Sequence, residues 1–212
     1  MKDNDTLIPM NVDEIAHNFE FLEFKCADIS QQFNLEFYKE FSKLYNTDPI
    51  LFKFICNDKK VFSSCIQNLQ FNSKLTNSSL CLDMRIIKSL FINKSLNISP
   101  SQMGELNENC NWEEFETLCF ERVSPFIFDG ILAELVSRGG IFFKSKKKLK
   151  HIVELARIFS DSIIQGYYNS FIIYQVTEGW SGYFGNMGFD NTFVIFDENN
   201  GEFWVMAKTD FD

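Results

Sequence analysis

The chain has 212 residues, a formal net charge of −9 and a sequence pI near 4.8; 45% of its residues are hydrophobic and 23% charged. That length and composition suit a chain able to bury its own core and exclude a disordered or fibrous one. No run reaches the ~18 apolar residues needed to cross a bilayer, and the acidity argues against nucleic acid as a direct ligand, because neutralising phosphates needs a basic face.

Residues 1–6, Met-Lys-Asp-Asn-Asp-Thr, are polar and lack the apolar core of a signal peptide, so a cytoplasmic protein is expected. No glycine precedes Gly104, and five of the ten crowd between Gly179 and Gly201. A glycine-free first half suits helices, and a glycine-dotted end suits turns between strands. Asp13 to Cys26 carries Ile15, Phe19, Leu22 and Cys26 at helical spacing, and Phe33 to Tyr45 repeats the pattern with Phe33, Phe37, Phe41 and Leu44. Thr47, Asp48 and Pro49 read as a helix start, with the helix running Pro49 to Cys56. Further helices are predicted over Val61–Phe71 and Cys81–Ile92, separated by the polar stretch Asn72–Ser79, and a second proline start stands at Ser99 and Pro100. Asn111 is placed to cap a helix from Trp112 to about Arg122, with Glu113, Glu114 and Glu116 in the turn where the helix dipole favours carboxylates. Ser124 and Pro125 start another helix, which Gly139 and Gly140 end. Lys147 to about Ile164 is the last long helix, with Ile152, Leu155, Ile158 and Phe159 facing inward.

The period then changes. Ser170–Val176 is a Phe/Ile/Tyr/Val run suited to a buried strand, and a short strand is possible on this reading at Gly182–Phe184. Thr192–Phe196 and Glu202–Ala207 flank a five-residue loop ending in Asn200 and Gly201, a strong hairpin signal. The expected fold is α+β in a single domain spanning residues 1–212. It has a mostly helical body over about 12–165 and a small C-terminal antiparallel sheet, a β-meander over about 168–209 built on the hairpin 192–207.

Catalytic signatures are missing. The two histidines, His17 and His151, have no cysteine close in sequence. Gly182, Gly185 and Gly188 precede a strand rather than a helix, which does not suit a phosphate loop. The six cysteines show no C-x-x-C spacing and are expected as buried free thiols; no metal and no cofactor is expected. The five lysines within 144–150 read as a solvated loop and helix face. The acidity gathers at the ends: residues 1–48 carry a net −6 and residues 190–212 a net −5, against +2 between them.

The reading that follows is a non-catalytic, acidic protein-binding module that inhibits or neutralises a basic protein partner, such as an immunity protein against a nuclease toxin. Neither nucleic acid nor membrane is expected as a partner. The expected contact residues are Asp197, Glu198, Glu202, Trp204, Asp210 and Asp212, with Glu113 and Glu114, as an acidic rim around aromatic side chains. The phenylalanine excess, 25 residues, allows either an AT-rich coding sequence or an exposed aromatic patch that grips this partner. Gly188 to Asp212 is similar to the glycine, strand and hairpin segments of one immunity-protein superfamily, whose pattern the first 150 residues do not follow. Two alternatives stand beside this reading. One is an enzyme whose site assembles only in space, drawing on His151, Glu154, Asp161, Tyr167 and Tyr168. The other is a structural or regulatory subunit of a larger complex.

Overall fold

A computed structural model describes residues 9–71, 81–97, 103–185, 188 and 190–210. The first helix, α1 (Val12–Phe21), starts at a reciprocal cap: the Glu14 backbone N–H donates to Asn11 Oδ1 at 3.0 Å, and the Asn11 N–H to Glu14 Oε2 at 2.8 Å. It stops short of the expected Cys26, because Leu22 turns extended and the chain enters strand β1 (Phe24–Cys26). The Phe33–Tyr45 stripe divides at an extended Leu35 into α2 (Ser30–Asn34) and α3 (Glu36–Ser42).

The largest departure follows. The run from Pro49 to Cys56 is strand β2 (Ile50–Cys56) rather than a helix. Its apolar side chains are aromatic or β-branched at most positions, a composition that favours a pleated surface, and its proline precedes the strand instead of opening a helical turn. The chain continues through α4 (Lys59–Phe71), α5 (Met84–Phe91), the single-turn helices α6 (Met103–Leu106) and α7 (Trp112–Phe115), and strand β3 (Glu121–Val123). Asn111 does cap α7, accepting from the Glu113 N–H at 3.2 Å, but that helix lasts one turn rather than reaching Arg122. After a short 3-10 turn over Pro125–Ile127 come α8 (Phe128–Arg138), ended by Gly139 at φ +69°, and α9 (Leu149–Ile164). Strands β4 (Phe171–Val176), β5 (Asn191–Asp197) and β6 (Glu202–Lys208) follow, the last two as the expected hairpin. Gly182–Phe184 forms turn, not strand, and the predicted features at Asn72–Ser79 and at Ser99 and Pro100 lie outside the described residues.

The fold is α+β, as expected, but its sheet is not a small C-terminal one. Among the described residues, six antiparallel strands run in the order β1-β2-β6-β5-β4-β3, so the hairpin occupies the centre and strands from the expected helical body complete both flanks. Helices cover both faces. On one, Phe54, Phe196, Phe203 and Val205 pack against α1, α4 and α5; on the other, Leu51, Ile173, Phe193 and Met206 pack against α3, α8 and α9. Being covered on both sides explains why β5 is buried at every position. Ile152, Leu155 and Phe159 of α9 face inward as expected, whereas Ile158 is half exposed. Cys81 and Cys119 form a disulfide, which corrects the expectation of six free thiols; Cys26, Cys56, Cys65 and Cys110 are free. Burial pushes the Cys56 thiol up to about 11 and that of Cys65 up to about 12, the behaviour of structural rather than reactive cysteines.

Candidate partner-binding groove

At the hairpin end of the sheet, three segments converge. The antiparallel register sets Phe171 opposite Asp197 and Asp197 opposite Glu202, so the start of β4 lies beside the β5–β6 turn. The Glu198 N–H donates to the Ser170 carbonyl at 2.9 Å, which ties the two together. β3 runs antiparallel to β4, and it delivers Phe126 to the same end. The chain reaches β4 from α9 through a tight reversal: Gln165 and Gly166 both take positive φ, +52° and +78°. A left-handed conformation suits glycine and strains glutamine. This reversal throws Tyr167 outward.

The product is a groove of about 590 Å³, lined by the rings of Phe126, Tyr167 and Tyr168 and by the polar side chains of Glu198, Gln67 and Gln70. Phe126 and Tyr167 are 66% and 65% exposed, large values for rings of their size. Phe126 is not loose, since its ring stacks on Tyr168 at 4.7 Å between centroids. Glu198 is held in place as well: Gln67 Nε2 donates to its Oε1 at 2.8 Å and Ser63 Oγ donates to the same oxygen at 3.4 Å. Both contacts fall on Oε1; among the described residues Oε2 has no hydrogen-bond partner. Gln70 Nε2 donates to the Asn169 carbonyl at 3.4 Å. The groove thus offers flat apolar rings, amides and one oriented carboxylate, groups that recognise a cationic or multiply hydrogen-bonding side chain.

Of the expected contact residues, only Glu198 lies here. Asp197 is buried and caps its own turn, accepting from the Asn200 N–H at 3.2 Å and from Asn200 Nδ2 at 2.7 Å. Glu202 points to the opposite face of the sheet, where it pairs with Lys53 at 2.7 Å. Lys53 Nζ in turn sits 5.2 Å over the Trp204 ring. Trp204 is only 3% exposed, so it is a core residue and not the centre of an open aromatic surface. Both Lys53 and Trp204 border a separate polar cavity of about 550 Å³ with Gln32, Ser162 and Gln165. Asp210 is buried at the far end, accepting from the Asn46 N–H at 3.0 Å and the Ile141 N–H at 2.6 Å. Glu113 and Glu114 are exposed on α7, and Glu114 lines a third cavity of about 520 Å³ beside Trp180. Asp212 lies outside the described residues. The single acidic rim read from the sequence is therefore divided: alternation along the strands sends neighbouring acids to opposite faces, and turn and loop backbone engages two of them.

The chain matches no protein-family model, no curated protein and no solved structure.

The residues considered for an enzyme do not gather. His151 lies 3.6 Å from Glu36 and 3.9 Å from Glu154 on the exposed start of α9. Asp161 pairs loosely with Arg157 at 3.8 Å, three turns further along the same helix. Tyr167 and Tyr168 belong to the groove. Among the described residues no three His, Cys, Asp or Glu side chains stand together as a metal site. Phe126, Gln67 and Gln70 are the groove residues that sequence reasoning missed. The proline start at Ser124 placed Phe126 on a helix, and nothing local marks a phenylalanine as exposed.

Proposed function

We propose that this is a non-catalytic, acidic protein-binding module that inhibits or neutralises a basic protein partner in the cytoplasm, as an immunity protein does a nuclease toxin, and that the contact centres on the groove at the hairpin end. The observation that carries this reading is the pair of exposed rings, Phe126 and Tyr167, lining one groove with a Glu198 carboxylate held by Gln67 and Ser63. Rigid aromatic side chains beside a carboxylate supply the chemistry of an interface hot spot for arginine or lysine: the cation stacks on a ring while its N–H groups pair with the free oxygen. The net charge of −9 adds long-range attraction for a basic partner and should make association fall as salt rises. Asp197 and Asp210 have structural duties and drop out of the contact set.

The test is a comparison of captured partners. Tagged wild-type chain and the variants Tyr167→Ala and Glu198→Arg are incubated with lysate of the source at low and at high salt. The reading expects one stoichiometric basic protein on the wild type, lost at high salt. Either variant should weaken that complex roughly tenfold or more, as removal of a hot-spot residue does. Capture of the same proteins by all three chains would overturn the groove as the contact. Capture of neutral or acidic proteins alone would overturn the basic partner.

A further inference from the structure

The end of the sheet remote from the groove carries a second surface of opposite character. The connection between α8 and α9 exposes Phe142 and Phe143, 58% and 50% accessible, and α9 opens with Leu149 at 60% and Val153 one turn on at 43%. These rings are presented by a fixed turn. The Gly140 N–H donates to the Phe143 carbonyl at 2.9 Å, and the Ile141 N–H donates to the buried Asp210 carboxylate at 2.6 Å. Further along, Ser145 Oγ donates to Glu40 at 2.6 Å and Lys147 pairs with Glu36 at 2.7 Å, so the connection is pinned to α3. A flexible loop would fold its phenylalanines inward; this one is held with them outside.

Directly after the rings in the chain come Lys144, Lys146, Lys148 and Lys150, all exposed and without a carboxylate partner among the described residues. Four unneutralised cations within seven residues are a marked local excess in a chain whose net charge is −9. Leu149 and Val153 also border a shallow groove of about 400 Å³ between α8 and α9, lined as well by Ala133, Ser137 and the Glu134–Arg138 ion pair.

We propose that this surface docks peripherally on an anionic lipid surface, with Phe142, Phe143 and Leu149 entering the interface and the four lysines engaging the headgroups. Apolar tips followed by lysines fit a boundary that is hydrocarbon beneath and negatively charged above. An acidic protein would offer the lysines and the rings the same two kinds of contact, and such a partner would leave the chain unbound to vesicles in the test below. The attraction is local, because a surface potential decays within a Debye length; the carboxylates close enough to oppose it are Glu36, paired with Lys147, Glu40, which accepts from Ser145, and Glu134, paired with Arg138. Each lysine near such a surface strengthens binding roughly fivefold.

The experiment is vesicle flotation of the full chain with phosphatidylcholine vesicles, with and without a substantial share of phosphatidylserine. Wild type should float only with the anionic vesicles and should be released by salt. The double variant Phe142→Ser, Phe143→Ser and the quadruple Lys→Gln variant at 144, 146, 148 and 150 should each bind at least tenfold more weakly. All of these residues are exposed, and circular dichroism checks that the variants fold. A Phe142→Trp variant should show a blue-shifted emission on binding that wild type lacks. Failure of wild type to float, equal flotation of the variants, or no emission shift at position 142 would each overturn the proposal. So would self-association of the wild type, abolished by the phenylalanine variant, in place of vesicle binding. Neither flotation nor emission depends on the basic protein partner, so the two readings fail separately.

Discussion

Gly140 and Asp210 meet at the end of the sheet remote from the hairpin turn, and their contact leaves no room for a side chain. A Cβ on Gly140 would stand 2.2 Å from the Leu44 carbonyl oxygen and 2.3 Å from Asp210 Oδ2. Backbone cannot yield cheaply at such distances, so Gly140→Ala is expected to lower stability by about 3 kcal/mol, read as a shift in the denaturant midpoint. An unchanged midpoint would show that the turn is looser than these distances imply. Next to it lies Lys208, buried, its Nζ 4.5 Å from the Tyr45 ring centroid. Burial pushes its pKa down to about 8, with Arg138 acting in the same direction and Asp190 and Asp210 against it. An unfolded chain keeps that proton to about 10.4. Between those values the unfolded state binds more protons, so stability rises with pH across the window and the full penalty of the charge is felt below it. Wild type should therefore gain about 2 kcal/mol over Lys208→Met between pH 8 and pH 10, measured by denaturation of both chains at each pH. A constant difference between them would mean that Lys208 keeps an ordinary pKa. None of this is written in the local sequence, because a lysine that ends an apolar run looks like a solvent-facing one.

Among the elements, those with long and uniform patterns were legible and those that depend on distant partners were not. The hairpin of β5 and β6, strand β4 and helices α4, α8 and α9 fall close to their expected ranges, since periodicity and glycine placement mark them locally. β2 was misread because a proline after a capping side chain is also a valid strand entrance, and its seven residues resemble a short buried helix in composition. β1 and β3 have three residues each, too few to display a period. The groove was half legible: Glu198 was expected at the surface from its place in the turn, whereas Phe126 and Tyr167 reach it through folding of separate elements. The disulfide was illegible too, because Cys81 and Cys119 are 38 residues apart. It fastens the strand-like bridge at Cys81 beside β3. Alkylation of the denatured chain before reduction should label four thiols, Cys26, Cys56, Cys65 and Cys110, and six after reduction; six labelled at the outset would mean no bridge forms. Replacing both bridging cysteines by alanine should lower stability by about 2–4 kcal/mol, the range for releasing a loop of this length.

At the scale of the whole molecule, the two proposed contact surfaces lie at opposite ends of the sheet. The register runs from Asp197 opposite Glu202 at one end to Asn191 opposite Lys208 at the other, a span of about 20 Å. The aromatic and carboxylate groove occupies the first end and the exposed phenylalanines and lysines the second. Association with a basic partner should accordingly respond to Glu198 and Tyr167 but not to the lysines at 144, 146, 148 and 150. If Lys→Gln changes there alter the on-rate as strongly as Glu198→Arg, the two ends do not act separately. The sheet order has a further consequence, for synthesis. β5 and β6 are the last strands in chain order, yet they stand in the middle, between β2 and β4. Until residues 191–208 have left the ribosome, β2 and β4 lack the strands that they pair with at the centre of the sheet. Unpaired edges of this kind invite association between chains. The sheet can therefore close only once the β5–β6 hairpin is available to fill the gap between β2 and β4.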